Sequence, residues 1–473
     1  MNHSNQPLVE ALAAHQNRHP VSFHVPGHKN GSVADQAFGQ LLGWDQTELT
    51  GLDDLHAPEE VIRDAQALLC DYYQSKQSYF LVNGSTVGNL AMILASCRAG
   101  DRVFVARNAH KSVMNACSLA QVKPVYLMPD VHAESQTPSG ISPDRLRQAV
   151  QTYPDVKVIV LTYPSYYGHT GQMAELVKVA KEAGLTVLVD EAHGAHFSLP
   201  GFPESSLAFG ADVVVQSAHK TLPAMTMGSF LHVNSEVVSV AKVERYLGML
   251  QSSSPSYPIM ASLDMARSYV ATYSEKDAAH FHEVRSAFIE RLRQITDVSV
   301  IEAEDPLKLM IRVAGLDGYR LQKRYEAHGI FSELADPLQV LWMLPLLKEG
   351  QLYEAELDRA VEALKNITAE KMDGPAVKQL VLEEEPFFEP AFTIDEAVDL
   401  AVEMVDLDHV TGRLAAESVI PYPPGIPFIL PGERMTGRKV QQLRDIVQSE
   451  MRFQGGAFLI EGKLKVVQED NDE

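Results

Sequence analysis

Between about residue 60 and residue 240, short apolar runs alternate with stretches in which apolar residues recur at helical spacing. The runs Ser78–Val82, Arg102–Ala106, Val156–Thr162, Leu185–Val189, Asp212–Gln216 and Ser229–Val233 predict strands. Thr86–Arg98, Ser112–Ala120 and Ala174–Ala183 predict helices, with Gly100 and Gly184 as stops. Strands that are apolar on both faces need cover on both faces. The alternation therefore predicts a largely parallel sheet between helical layers. Helical segments run from about 236 to 295. A smaller α+β pattern follows: strand Leu307–Val313, helix Tyr319–His328, strand-like Ile330–Leu334 and Val340–Leu344, and helix Glu354–Lys365. LEEEPFFEP (Leu382–Pro390) reads as a linker, Ile394–Met404 as a last helix, and IPYPPGIPFILPGE (Ile420–Glu433) as a loop stiffened by its prolines. The chain thus divides into an N-terminal segment (1–60), a large domain (61–300), a small α+β domain (301–370) and a C-terminal domain (371–473).

Composition narrows the function classes. At 473 residues the chain is long enough for two or three domains. A net charge of −22 repels nucleic acid and anionic membrane, so neither is an expected partner. Cys70, Cys97 and Cys117 have no metal-type spacing, no metal is expected, and a sparse odd set fits a reducing cytosol. No apolar run reaches the roughly 18 residues of a membrane span, and the first residues lack the apolar core of a signal peptide. The expected location is cytoplasmic.

In open parallel sheets ligands bind beyond the carboxyl ends of the strands. After SYFLV come Asn83-Gly84-Ser85-Thr86-Val87-Gly88, whose amides and hydroxyls suit a phosphate or simply cap a helix. After RVFVA come Arg107-Asn108-Ala109-His110, where His110 alone could be an ordinary surface histidine. After TVLV come Asp190-Glu191-Ala192-His193, and an acid at a strand end is often only a cap. After DVVVQ come Ser217-Ala218-His219-Lys220, a lysine with no acid nearby in sequence.

Together these ends answer to one cofactor. Pyridoxal phosphate needs an amine for its aldehyde, a carboxylate to keep its ring nitrogen protonated, a phosphate cup and groups to sandwich its ring. Lys220 supplies the amine and Asp190 the carboxylate. Ser85, Thr86, the amide of Val87, Ser217 and His219 can form the cup. His110 can cover one ring face and Ala192 the other, while Glu191 and His193 either tune the site or serve structure. A snorkelling surface Lys220 would leave the other strand ends unexplained.

The stretches FHVPGHKNG (Phe23–Gly31), TELTGLDDLHAP (Thr47–Pro58), FLVNGSTVGN (Phe80–Asn89), RNAHKSV (Arg107–Val113), VDEAHGAHF (Val189–Phe197), QSAHKTLPAMT (Gln216–Thr226), QSSSPSYPIMASLDMAR (Gln251–Arg267) and IPYPPGIPFILPGE resemble the bacterial ornithine/lysine/arginine decarboxylase family. The resemblance runs from near residue 20 to near 440, and its first three stretches and its last are particular to that family. It implies an α/β fold of the aspartate aminotransferase type (fold type I), with a mostly parallel seven-stranded sheet and smaller α+β C-terminal domains. It also implies Lys220 as the cofactor-bearing lysine, Asp190 as partner of the pyridine nitrogen, His110 stacked on the ring, and Thr86, Ser217 and His219 at the phosphate. A homodimer, or a multiple of one, is implied by Gln251–Tyr257, which in the family reaches the neighbour's cofactor phosphate. The chain starts almost directly at FHVPGHKNG, so the wing domain of the large inducible members is expected to be lacking.

The expected reaction is decarboxylation of arginine, lysine or ornithine, with Lys220 or His219 returning a proton to Cα. Glu433 is the candidate for the substrate's distal cation, against an ordinary loop glutamate. Two other classes stay open. An aminotransferase or lyase on the same fold would hold the α-carboxylate with an arginine, for which Arg312 is the obvious candidate in the small domain. A non-catalytic relative would have no use for the Lys220–Asp190 pair.

Overall fold

The structure, a computed structural model, describes residues 1–369, 385–421, 425–448 and 453–468. Six strands follow the apolar runs and one, β3, is unexpected: β1 Gln77–Leu81, β2 Arg102–Ala106, β3 Lys123–Leu127, β4 Val158–Thr162, β5 Thr186–Asp190, β6 Val213–Gln216 and β7 Ser229–Val233. The chain separates into two compact units.

The first unit comprises Met1–Cys97, Val158–Tyr163 and Met173–Ala278. Its strands lie in the order β1-β7-β6-β5-β4. β4, β5 and β6 are parallel, and β7 is antiparallel to both β6 and β1. β1 therefore runs in the same direction as β6, and β1, β4, β5 and β6 all end at one edge. The antiparallel β7 has a local cause. The connection from β6 holds only one helical turn, Ala218–Thr221, too short to serve as a crossover helix over the sheet. β6 and β7 are buried along their whole length, which is why both read as largely apolar runs.

Helix Gly84–Ser96 follows β1 and buries Val87, Gly88, Asn89, Ala91, Met92, Ile93 and Ala95. Its approach to the sheet depends on Gly88. A Cβ there would lie 2.7 Å from Val215 Cγ1 and 2.9 Å from Leu81 Cδ1.

The second unit comprises Arg98–Lys157, Pro164–Gln172 and Ala279–Glu473. It holds the parallel pair β2–β3. It also holds an antiparallel sheet of β8 Val298–Glu302, β9 Lys308–Val313, β10 Leu334–Ala335 and β11 Val340–Met343, in the order β10-β11-β9-β8. Phe288, Leu309, Ile311, Tyr325, Trp342 and Leu364 form the core beneath that sheet. A separate core of Leu407, Val410, Ile429, Leu443 and Leu464 organises the C-terminal part.

The structure amends two expectations. The strands of the α/β portion number eight, not seven, because β12 Phe387–Phe388 pairs antiparallel with Tyr126 and Leu127 of β3. It arises within the expected linker, and two residues are too short to show a period. The predicted helix Ile394–Met404 shrinks to Glu396–Asp399. Val402–Asp406 is instead a strand paired with Lys463–Val467, a partner too distant in sequence for a local pattern to reveal. Leu382–Glu384 of the linker and Tyr422–Pro424 of the proline loop lie outside the described residues.

Gly88→Ala should lower the urea or thermal unfolding midpoint, at a cost of about 1–3 kcal/mol from overpacking. Gly437→Ala, whose Cβ would meet nothing within 4 Å, is the control and should leave the midpoint in place.

Candidate active site

The common strand edge of the first unit gathers most of the residues singled out from the sequence. Asp190 is the last residue of β5 and only 3% exposed. Asn89 Nδ2 donates to its Oδ2 at 2.9 Å, whereas its buried Oδ1 has no hydrogen-bond partner among the described residues. Burial pushes the carboxyl pKa above its ordinary value. The Lys220 charge and the hydrogen bonds from Asn89 and the Ala192 amide pull it back without cancelling that rise. A buried carboxylate with one oxygen unsatisfied is expensive unless a further donor or cation arrives.

Lys220 sits in the short helix after β6, half-buried, with its Nζ 3.1 Å from Nε2 of buried His193. His193 belongs to the turn after β5, so the two strand ends touch through this pair. His219 directs Nδ1 to the Gly228 carbonyl at 2.9 Å, so Nδ1 carries a proton and donates. Ala192 is buried beside Asp190, and its carbonyl accepts the Ser217 N–H at 3.3 Å. Ser217 has no exposed surface, and its hydroxyl has no partner among the described residues.

Ser85, Thr86 and Val87 occupy the first turn of helix Gly84–Ser96, where backbone N–H groups lack intrahelical acceptors. Asn83 precedes them as N-cap without a side-chain cap bond, and its buried Oδ1 is unpartnered. Gly84 adopts φ +75°, a turn that a side chain would strain.

This set fits pyridoxal phosphate. The orphaned Asp190 Oδ1 suits the protonated ring nitrogen, the Ser217 hydroxyl and the helix start suit the phosphate, and Lys220 suits the aldehyde. Sequence reasoning missed the role of Asn89. The signal was available, since Asn89 is a polar residue on an otherwise apolar, buried helix face.

The other two expected residues lie in the second unit. His110 is the N-cap of helix Lys111–Leu119, and its Nδ1 accepts from Ser112 N at 3.2 Å. Glu433 has no exposed side-chain surface and binds two cations of its own unit. Arg107 Nε lies 2.7 Å from Glu433 Oε1, and Lys439 Nζ lies 3.3 Å from Oε2. Arg107 also donates to the carbonyls of Pro427 at 2.6 Å and Phe428 at 3.0 Å. Glu433 is thus a buried counter-ion that ties the proline loop to the end of β2. Arg312 donates to Gln339 Oε1 at 2.9 Å and to the Ser135 carbonyl at 2.7 Å, so its guanidinium joins two loops.

Among the described residues one cluster has metal-type ligands, His132, His169 and Glu304, also in the second unit. The two rings stack with centroids 4.0 Å apart and planes 16° apart. An imidazole binds a metal in its ring plane, so the pair as placed is a hydrogen-bonded stack rather than a chelate.

A family model described as Orn/Lys/Arg decarboxylase, major domain, matches residues 6–304, and one described as Orn/Lys/Arg decarboxylase, C-terminal domain, matches residues 376–472. The chain is 46% identical to YaaO of Bacillus subtilis, described as uncharacterized, over 98% of this chain and 99% of that one. It is 32% identical to a Bacillus subtilis arginine decarboxylase over 99% of each chain. Among solved structures, the lysine decarboxylase LdcF of Francisella novicida is similar with a TM-score of 0.79 at 20% identity, covering 98% of this chain and 81% of that one. An alanine–glyoxylate aminotransferase from Nostoc sp. is similar with a TM-score of 0.52 at 18% identity, covering 65% and 86%. At those identities the structural likeness speaks to the fold alone, which is that of fold-type-I pyridoxal enzymes.

The Glu433 cluster sets a pH dependence. Burial raises the carboxyl pKa, but Arg107 and Lys439 outweigh burial and leave it below the ordinary 4.5. A depressed carboxylate stabilises the fold above its unfolded pKa and loses that contribution as pH falls through the folded value. Wild-type stability should therefore drop on acidification below about pH 4.5, and Glu433→Gln should flatten that limb. At pH 7 the same substitution should cost about 3–5 kcal/mol, because it strands the buried Arg107 charge. Unfolding midpoints measured across pH check both.

Proposed function

The chain belongs to the Orn/Lys/Arg decarboxylase family, and on that premise we propose that it removes the α-carboxyl group of a basic amino acid, arginine first, with Lys220 and Asp190 as the central pair. The observation that carries the site reading is Asp190 Oδ1, a buried carboxylate oxygen held without a partner beside Lys220. The preference for arginine rests on relatives: those named arginine decarboxylases are 30–32% identical, those named lysine decarboxylases 22–24%.

Pyridoxal phosphate, when bound, accepts the electron pair released as carbon dioxide departs. Asp190 holds the ring nitrogen protonated, and Asn89 fixes the carboxylate's orientation for that task. Ser217, the amides of Ser85–Val87 and His219 would hold the phosphate. Lys220 would supply the amine for the aldehyde. Its contact with His193 gives it a partner through which a proton can pass, so that Lys220 can return one to the substrate's Cα. Donors and charges fixed before substrate arrives are not reorganised during reaction, which is where such sites gain most of their rate. Glu433 is spent on Arg107 and Lys439, so a different acid meets the substrate's distal cation. Arg312 is likewise engaged, which disfavours the aminotransferase reading.

A second copy of the chain is the natural cover for the N-terminal arm. Phe23 is 94% exposed, Val21 79% and Val25 66%, a density of bare apolar side chains that a monomer rarely tolerates. Sedimentation should therefore give a dimer or a multiple of one, and a fully active monomer would sink this part. No helix among the described residues is long and apolar enough to cross a membrane, and Cys70, Cys97 and Cys117 form no disulfide among the described residues.

The deciding experiment supplies single amino acids and measures carbon dioxide and amine. Arginine should be turned over fastest, giving agmatine, while norleucine and glutamate should be poor. Borohydride should fix the cofactor to the peptide containing Lys220, and Lys220→Ala should abolish turnover. Asp190→Ala should cut turnover at least about 100-fold, a barrier increase of ~2.7 kcal/mol. A loss of only a few-fold would reduce Asp190 to a helix cap, and label on another lysine would remove Lys220 from its role.

A further inference from the structure

Glu191 follows Asp190 in the chain, yet its surroundings are the opposite. Its side chain is completely buried, and its two carboxylate oxygens receive four donors. Ser205 Oγ reaches Oε1 at 2.8 Å, Ser206 N reaches Oε2 at 2.8 Å, the Ser206 hydroxyl also binds Oε2, and Gln216 Nε2 reaches Oε1 at 2.8 Å. The side chain folds back over its own turn. A Cβ on Gly194 would lie 2.6 Å from Glu191 Cγ, so the glycine makes room for it.

The polarity of the surrounding network can be deduced step by step. Gln216 must present its amide NH2 to the carboxylate, so its oxygen faces His232 Nε2 at 3.1 Å and can only accept. His232 therefore carries its proton on Nε2, and its Nδ1 accepts from the Ser78 hydroxyl at 2.8 Å. Ser78 in turn accepts from Ser75 Oγ at 2.6 Å. Burial pushes the His232 pKa down to about 3, so the ring stays neutral and, with the proton on Nε2, leaves Nδ1 as an acceptor. Every donor from Ser75 onward points toward Glu191. The chain crosses β1, β7 and β6 and ends on the turn after β5.

We propose that Glu191 is a positioning residue for the cofactor site: as the terminal anion of this network it locks Gln216, which leads directly into Ser217–Lys220, to the turn that carries Asp190, Ala192 and His193. This deepens the pyridoxal-phosphate reading and rests on it. The backbone also joins these strand ends, through the Glu191 N–H to Val215 carbonyl bond at 2.8 Å and the longer Ser217 N–H to Ala192 carbonyl bond at 3.3 Å, and His193 meets Lys220. The carboxylate binds both ends from below. Burial pushes the Glu191 pKa up to about 7 against the pull of its four donors, so the anion is costly. A glutamine there would set NH2 against donors and leave buried polar groups unpaired.

The test measures pyridoxal-phosphate affinity by visible absorbance together with the unfolding midpoint of cofactor-free protein. Glu191→Gln should weaken affinity at least ten-fold. Combining it with Gln216→Glu moves the anion along the same hydrogen bond, restores acceptors for His232 Nε2 and the residue-191 amide, and should bring affinity back to within three-fold of wild type. Ser205→Ala, which removes one donor and leaves the carboxylate in place, should weaken affinity about three-fold and keeps the test alive if Glu191→Gln does not fold. Unchanged affinity in both Glu191→Gln and Ser205→Ala, with only the midpoint lowered, would make Glu191 merely structural and overturn the proposal. So would a double variant no better than Glu191→Gln. Wild-type protein that takes up no pyridoxal phosphate would overturn the cofactor reading itself, a failure visible without any variant.

Discussion

A carboxylate buried at the end of a parallel strand is the constraint around which the first unit is arranged. Placing Asp190 in a low-dielectric interior costs free energy that only close partners offset. Each nearby feature serves that end. Gly88 lets helix Gly84–Ser96 approach the sheet closely enough for Asn89 to reach Oδ2. The parallel pairing of β5 and β6 puts Lys220 near enough for its charge to be felt at Asp190. The reversal of β7 makes β1 run with them, so the start of helix Gly84–Ser96, with its exposed amides, opens at the same edge. Fold and site are one problem here: the strand directions that bury the sheet also decide which residues meet.

The second unit handles its buried acid differently. Glu433 is fully paired, and Arg107 makes further bonds to two carbonyls of the proline loop. A buried ion pair adds little net stability over an apolar substitute, but it is unforgiving of alternatives, because any other loop placement strands a charge. Arg107 at the end of β2 and Glu433 at the end of the loop therefore specify where that loop sits. The same accounting explains why Glu433 attracts attention in the sequence and yet is not free for a ligand. An acid at the end of a proline-stiffened loop has the reach for a cation, and its cation comes from its own fold.

Much of this was legible in the sequence, unevenly. β2 and β7 fall on their predicted ranges, and β1, β4, β5 and β6 shift by at most two residues, because buried strands are unbroken apolar runs. β3 escaped because Lys123 and Pro124 open it, and β12 because two residues carry no period. The strand-end reading singled out Lys220, Asp190, Ser217 and the Ser85–Val87 turn, since each follows an apolar run, and the structure places them at one strand edge of the first unit. Asn89 and the donors to Glu191 escaped because they act across the sheet, at separations that local patterning does not encode. The strand Val402–Asp406 is the same failure in the C-terminal part: its partner, Lys463–Val467, supplies the order that its own residues do not. Local pattern determines which segments are strands and what stands at their ends. Long-range pairing determines which of those ends become neighbours.

Asp190 and Glu191 make the closing argument, being adjacent, acidic and equally buried. If burial alone governed them, both would be satisfied, since an unpaired buried oxygen is a standing cost. Glu191 receives four donors, more than a carboxylate needs to remain ionised in a polar setting. Asp190 receives one side-chain donor on one oxygen and keeps the other bare. Ser217, the residue after Glu191's partner Gln216, shows the same deficit in its hydroxyl. A fold able to bring four donors to one acid does not leave its neighbour short for want of polar groups. Both deficits lie at the strand edge that carries the lysine, and on the proposed reading a protonated ring nitrogen and a phosphate would complete them. On that reading the two acids would divide the labour: Glu191 would hold the scaffold still, and Asp190 would receive the group that does the chemistry.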